Sequence, residues 1–273
     1  TKVQETARLL GTFLTGQNIH ILIDETVSEI APELNVDPAS RKIIGQQSDL
    51  IVVIGGDGTL LCAARAMVDY NIPMVGINLG RLGFLVDISS TEVIGGIKKI
   101  IQGDYLEETR CALQFSVFRN ETCICDGVAL NDVVIHKWNM ARMIELETRI
   151  DGRYVNTQRS DGLIISTPTG STAYALSGGG PILYPTLNAM ALVPICPHTL
   201  SNRPIVISCD SDIEIIVTPD DQEHIQITWD GQNSYNLKSN DRIKVRKYSH
   251  DIKLIHPKEH DHYEVLRAKL RWG

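Results

Sequence analysis

The stretch Leu50-Ile51-Val52-Val53-Ile54-Gly55-Gly56-Asp57-Gly58-Thr59 constrains this 273-residue chain more than any other. Five apolar, mostly β-branched residues in a row read as a strand buried on both faces, which points to a parallel sheet. The glycines that follow let the backbone turn sharply and approach a ligand, because no Cβ stands in the way. Leu60-Leu61-Cys62-Ala63-Ala64-Arg65-Ala66-Met67 continues as a helix. Gly55, Gly56, Gly58 and Thr59 therefore sit at a helix N-terminus, where unpaired N–H groups suit the phosphates of a donor. Asp57 is the single carboxylate in this turn. An anion weakens phosphate binding unless it holds a metal or takes a proton from a nucleophile, which points to phosphoryl transfer to a hydroxyl. The competing reading is an ordinary βα turn with Asp57 as a helix N-cap.

The chain is long enough for one large domain or two ordinary ones. Its 43% apolar and 22% charged residues are those of a globular protein. A net charge of −7 gives nucleic-acid binding no electrostatic support. No apolar run approaches the length of a membrane span, and no signal-peptide pattern opens the chain. Six cysteines are scattered, and the one close pair, Cys123 and Cys125, should face opposite sides of a strand. A reduced, cytoplasmic protein is expected, with no nucleic-acid or membrane partner.

Val3, Ala7, Leu10 and Leu14 form a helical stripe, so the chain opens on a helix. A doubly wound domain usually opens on a strand, and one is expected ahead of residue 1. His20–Ile23 reads as a short strand, Glu25–Leu34 as a helix broken by Pro32, and Asp37-Pro38-Ala39-Ser40 as a loop opening another helix. Met74–Ile77 is the next strand, followed by a loop with Gly80 and Gly83, then a helix from Glu92 to Gln102. This alternation predicts an α/β domain whose ligands lie beyond the carboxyl ends of its strands. From about Tyr105, apolar and polar residues alternate instead, as in Leu113, Phe115 and Val117. Gly127–Lys137 reads as one strand. Further strands are expected at Ile144–Ile150, Leu163–Ser166, Ile205–Ile207, Ile213–Val217, Ile225–Trp229 and Ile243–Val245, giving an antiparallel β domain. Lys253–Pro257 reads as its end, and Tyr263–Leu270 as a helix docking back on the first domain. The predicted division is residues 1–106 with 257–273, against 107–256.

The β half contains a second motif, Arg159-Ser160-Asp161-Gly162-Leu163-Ile164-Ile165-Ser166-Thr167-Pro168-Thr169-Gly170-Ser171-Thr172-Ala173-Tyr174-Ala175-Leu176-Ser177-Gly178-Gly179-Gly180-Pro181. A strand leads into a run of hydroxyls and a short helix near Ser171. Hydroxyls and free N–H groups there offer neutral donors, small residues leave room for a flat ring, and Tyr174 suits the edge or face of an adenine. The plainer reading is a Ser/Thr-rich turn with a helix cap.

Together, the glycine turn, Asn131-Asp132 and the Asp161–Pro181 stretch resemble the three signatures of bacterial NAD kinases. Pro197–Pro204 and Leu254-Ile255-His256-Pro257 extend the likeness over nearly the whole chain. The glycine turn alone would also resemble phosphofructokinases and diacylglycerol kinases. The resemblance implies a Rossmann-like α/β N-terminal domain, a β-sandwich-like C-terminal domain, and a C-terminal tail that returns to the first. It implies transfer of phosphate from ATP or polyphosphate to the 2′-hydroxyl of the adenosine ribose of NAD, with Mg2+ or Mn2+, in a homotetramer or homodimer. Carried over by position, Asp57 is the proton acceptor and Gly58 follows it in the phosphate turn. Asn131 and Asp132 hold the adenosine part, although the family often has Glu at 132. Thr172, Ala173, Tyr174, Ala175, Leu176 and Ser177 form the adenine and ribose pocket. Asp161 contacts the nicotinamide end, and Arg142, Arg159 and Gln232 line the site. No Walker-type lysine follows the glycines, so donor charge must be met otherwise.

Two other readings use the same residues. A non-catalytic NADP(H) sensor would not need Asp57, and a lipid kinase of the diacylglycerol type would need an apolar stripe that is not found. His256, His260 and His262 with Glu259 and Asp261 crowd together like metal ligands. Pro257 interrupts their helical spacing, so a solvated loop is expected and no metal residue is assigned. Asp220-Asp221-Gln222-Glu223 reads as a solvated turn, and Trp229 and Trp272 as core or interface aromatics.

Overall fold

A computed structural model describes residues 1–273 except 27, 29–35, 37, 81–82, 139–142, 200, 219–223 and 273. The predicted helix over Glu25–Leu34, the turn at 220–223 and Arg142 thus fall largely or wholly outside the described residues. Among the described residues no helix is long and apolar enough to cross a membrane.

In chain order the elements are α1 (Lys2–Gly16), β1 (Ile23–Asp24), β2 (Pro38–Ala39), α2 (Arg41–Gln47), β3 (Ile51–Gly55), α3 (Asp57–Met67), β4 (Met74–Asn78), β5 (Ile88–Ser89), α4 (Val93–Ile101) and β6 (Leu106–Arg110). Then come β7 (Leu113–Arg119), β8 (Thr122–Ala129), β9 (Asp132–Lys137), β10 (Ile144–Ile150), β11 (Arg153–Ser160), β12 (Gly162–Ser166), α5 (Tyr174–Ser177), β13 (Ala189–Ile195), β14 (Ile205–Ser208), β15 (Ile213–Val217), β16 (Ile225–Trp229), β17 (Asn233–Leu237), β18 (Arg242–Lys247), β19 (Ile252–His256) and α6 (His262–Leu270). The chain divides into two compact units, residues 1–109 with 252–273, and residues 110–251.

The first unit is α/β. Its sheet runs β3-β4-β19-β6, with β5 also on β4, and β3, β5 and β19 all lie parallel to β4. The strands are apolar on both faces because both faces are covered. Leu10 of α1 and Val93, Ile97 and Ile100 of α4 pack with Val75, Ile77 and Ile255, while α3 lies along β3 and β4. Thr1 and Gln4 close a capping box on α1, satisfying two N–H groups that the helix leaves open. Two expectations change here. Lys253–Pro257 does not end the β half, because β19 is a sheet strand of the α/β unit. Nor are the histidines that follow solvated. His256 is 1% exposed, the His260 side chain 6% and His262 8%.

The second unit holds two antiparallel six-stranded sheets, β11-β10-β15-β18-β7-β8 and β14-β13-β12-β9-β16-β17. Inward residues of both sheets share one core, Phe115, Leu146, Ile215 and Val245 from the first meeting Ile135, Ile165, Leu192 and Ile227 from the second. This is the predicted sandwich. The outer face of the second sheet is covered too, since Val134, Ile164 and Val193 pack under Ala175 and Leu183. That explains the unbroken apolar runs in β9 and β12. Gly127–Lys137 is not one strand. β8 ends at Ala129 in the first sheet and β9 begins at Asp132 in the second, so Leu130 and Asn131 carry the chain from one sheet to the other.

Candidate active site

In the α/β unit, β3 delivers the chain to α3 through Gly55 and Gly56. Gly56 takes the N-cap position and Asp57 is the first helical residue, so Asp57 is not the cap. A carboxylate in this first turn is favoured by the helix dipole. Both its oxygens are engaged: Phe84 N–H donates to Oδ2 at 2.9 Å and Leu85 N–H to Oδ1 at 3.1 Å. Gly83 makes room for this, because a Cβ there would collide with the Asp57 carboxylate and with Val86. At the other glycine of the β4–β5 loop, Gly80, an added Cβ would meet nothing within 4 Å. Gly55 is needed for packing, since a Cβ would press on Thr59 at 2.5 Å, whereas Gly56 faces open space. Gly56, Gly58 and Thr59 are exposed, and Asp57 is half-buried.

In the β unit, the crossing from β8 to β9 is fixed by Asp230, which the sequence reading passed over. Its carboxylate accepts N–H bonds from Asn131 at 2.7 Å, Leu130 at 3.2 Å and Asp132 at 3.3 Å. Its own N–H returns a bond to the Asp132 carbonyl at 3.0 Å. Asp230 and Gly231 both take left-handed φ, 50° and 62°, in the hairpin between β16 and β17 that also carries Gln232. Asp-Gly at that spacing is a hairpin signal that would have marked the place. Asp132 is buried, and burial first, then the charge of Asp230, pushes its carboxyl up to about 7.

The hydroxyl run is built differently from the expectation. A 3-10 turn, Thr169–Thr172, is followed by the four residues of α5. Most hydroxyls are spent on the turn itself. Thr167 Oγ1 bonds the Leu130 carbonyl at 2.5 Å, and Ser166 Oγ bonds the Thr167 carbonyl at 2.9 Å. Ser171 Oγ bonds the Pro168 carbonyl at 2.6 Å and accepts from Leu183 N–H at 3.0 Å. Thr172 Oγ1 reaches the Thr169 carbonyl at 3.3 Å. Gly170 lies so close to the Asn131 backbone that no Cβ fits. These contacts join the Asn131-Asp132 crossing and the hydroxyl run into one structure. Tyr174 and Ser177 are exposed, Thr172, Ala173 and Leu176 are half-buried, and Ala175 is fully buried beneath them. Asp161 pairs with Lys137 at 2.6 Å, a partner the sequence reading missed, and Arg159 pairs with Glu145 at 3.0 Å.

Residues 3–105 match the ATP-NAD kinase N-terminal domain and residues 130–257 the ATP-NAD kinase C-terminal domain. The chain belongs to the ATP-NAD kinase family. An NAD kinase of Pseudomonas fluorescens is 47% identical over 273 residues, which cover 100% of this chain and 92% of that protein. A crystal structure of yeast NADH kinase complexed with NADH matches with a TM-score of 0.90 and 27% identity, over 99% of this chain and 84% of that one. An NAD kinase from Archaeoglobus fulgidus in complex with ATP matches with a TM-score of 0.71 and 28% identity, over 90% of this chain and 94% of that one. In this NAD kinase-family chain the three motifs thus fall on two supports. The glycine turn rests on a parallel sheet, and the other two rest on the doubly covered sheet of the sandwich.

Proposed function

We propose that the chain transfers the terminal phosphate of ATP to the 2′-hydroxyl of the adenosine ribose of NAD, with Asp57 accepting the hydroxyl proton. The observation that carries this reading is the Asp57 carboxylate, held by Phe84 and Leu85 N–H at the start of α3 in a chain of this family. A ribose hydroxyl is a poor nucleophile at neutral pH. A fixed carboxylate within hydrogen-bond reach takes its proton as the bond to phosphorus forms. Two N–H donors hold Asp57 in place before substrate arrives, so less of the binding energy goes into orienting it. Gly55, Gly56, Gly58 and Thr59 take the donor phosphates.

Asn131, Asp132, Asp161, Thr172, Ala173, Tyr174, Leu176 and Ser177 bind NAD, with Arg159 and Gln232 at the margin. Ala175 contributes by supporting the turn from below, since its methyl is buried. Mg2+ or Mn2+ bound with the donor phosphates would neutralise part of their charge. The turn fits such an ion in that it offers oxygen donors and no nitrogen or sulfur side chains, which would suit a hard divalent cation. A cytoplasmic homotetramer is the expected setting. The test is direct. The purified chain incubated with NAD, ATP and Mg2+ should accumulate NADP. A folded chain that binds NADP but makes none is a sensor, and the proposal fails.

A further inference from the structure

We propose that Asp87, His256 and His260 form a binding site for a divalent transition-metal ion, best suited to zinc, separate from any ion on the donor phosphates. His256 ends β19, His260 lies in the loop before α6, and Asp87 immediately precedes β5, so distant parts of the α/β unit converge here. Their ligand atoms lie within 4.8 Å of one another. His256 Nδ1 and His260 Nδ1 stand 2.9 and 2.8 Å from the same oxygen, Asp87 Oδ2. The two rings stack with centroids 4.2 Å apart.

The arrangement leaves buried polar atoms without partners. A carboxylate oxygen accepts, so each ring donates Nδ1–H to it, and each Nε2 is turned away from that contact. His256 Nε2, His260 Nε2 and Asp87 Oδ1 are all buried with no hydrogen bond. Orphaned atoms in such number are costly. A metal bound through both Nδ1 atoms relieves this at His256. Each ring moves its proton to Nε2 and becomes a donor there. Glu108 Oε2 lies 3.8 Å from His256 Nε2, on the side where the metal-bound ring would point its N–H. A carboxylate behind a ligating histidine is the usual second partner of such sites. Two imidazoles and one carboxylate suit zinc and exclude Mg2+ as the preferred ion. The carboxylates that the sequence places beside these histidines are engaged elsewhere. Glu259 pairs with Lys99 at 2.7 Å, and Asp261 caps α6 through Tyr263 N–H at 2.8 Å.

The site also has a consequence within the same unit. Asp87 lies two residues beyond Leu85, in the stretch whose Phe84 and Leu85 N–H groups hold Asp57. A metal there ties that stretch to β19 and stiffens it.

The test uses the full chain, freed of metal by a chelator and confirmed folded by circular dichroism. Zinc should bind at one ion per chain by native mass spectrometry, and millimolar Mg2+ should not displace it. Co2+ should give the visible bands of a low-coordinate site, zinc should raise the thermal midpoint, and amide exchange at Phe84 and Leu85 should slow. His260→Ala should weaken zinc by at least about 10²-fold and abolish the thermal rise. Asp87→Asn, which keeps the side-chain size, should do the same, while Glu259→Gln should change neither. A folded wild-type chain that binds no zinc at micromolar free metal overturns the proposal. So does unchanged affinity in either folded ligand variant.

Discussion

Asp57 and Asp132 are two carboxylates in opposite circumstances, and each gives a prediction. Asp57 accepts two backbone N–H bonds. Asp57→Asn keeps one acceptor oxygen but turns an amide NH2 toward the other donor, and it removes the proton acceptor. Turnover should fall on the order of 10²-fold or more with NAD still bound. Near-normal kcat in the folded variant would remove Asp57 from the role. Asp132 is a buried carboxyl pushed up to about 7 by burial and by Asp230. The folded chain therefore keeps a proton that the unfolded chain sheds near 3.8. The stability this proton confers is present in full below that value and is lost as pH rises toward 7. Asp132→Asn cannot ionise, so it should escape this loss. The thermal midpoint of the ligand-free wild type should drop between pH 5 and pH 8 relative to Asp132→Asn, and parallel curves would show that Asp132 ionises freely. Tyr174, 46% exposed on α5, loses only its ring contact on truncation. Tyr174→Ala should cost about 1–2 kcal/mol of NAD binding, seen as a raised KM for NAD and an unchanged KM for ATP.

Among the elements, the β4–β5 loop does what the sequence could not announce. Its two glycines look alike in the chain, yet a Cβ on Gly83 meets the Asp57 carboxylate while one on Gly80 meets nothing. Gly83→Ala must displace either Asp57 or the loop, at about 1–3 kcal/mol. Its kcat should fall at least about 10-fold, whereas Gly80→Ala should behave as wild type. Equal effects in the two variants would disconnect the loop from the base. Long β-branched runs such as Ile51–Ile54 and Leu163–Ile165 were legible because burial on both faces demands them. β13 was not, because Pro194 sits inside it and Ala and Met carry no strand signal. β17 is polar at most positions. The motifs themselves could be read, but their supports could not. Asp230 under Asn131, Lys137 beside Asp161, and Asp87 against His256 are partners brought together only by the folded sheets. The hydroxyl run misled for a related reason: Thr167 and Ser171 bond backbone at Leu130 and Leu183, which the sequence does not show to be near.

At the scale of the molecule, the β unit leaves its sheets with apolar edges. β14 ends one sheet and exposes Ile205 and Val206, and β11 ends the other and exposes Tyr154 and Val155. Edge strands offer unpaired N–H and carbonyl groups, and charge or proline normally guards them. Arg153 and Arg159 on β11 and Pro204 just before β14 guard these edges in part, yet both edges also carry exposed apolar side chains side by side, which favours burial against another protein surface. A second copy of the chain is the simplest cover. The net charge of −7 opposes association only weakly at physiological salt, where screening acts within about 8 Å. We therefore expect a homotetramer, with dissociation driven by charge on these strands. Val206→Lys and Val155→Lys should each lower the sedimentation coefficient at micromolar protein. If assembly and NAD binding are linked, NAD should raise the thermal midpoint of the wild type more than that of either variant. A wild-type chain that sediments as a monomer and keeps its full turnover on dilution would refute both the assembly and the linkage.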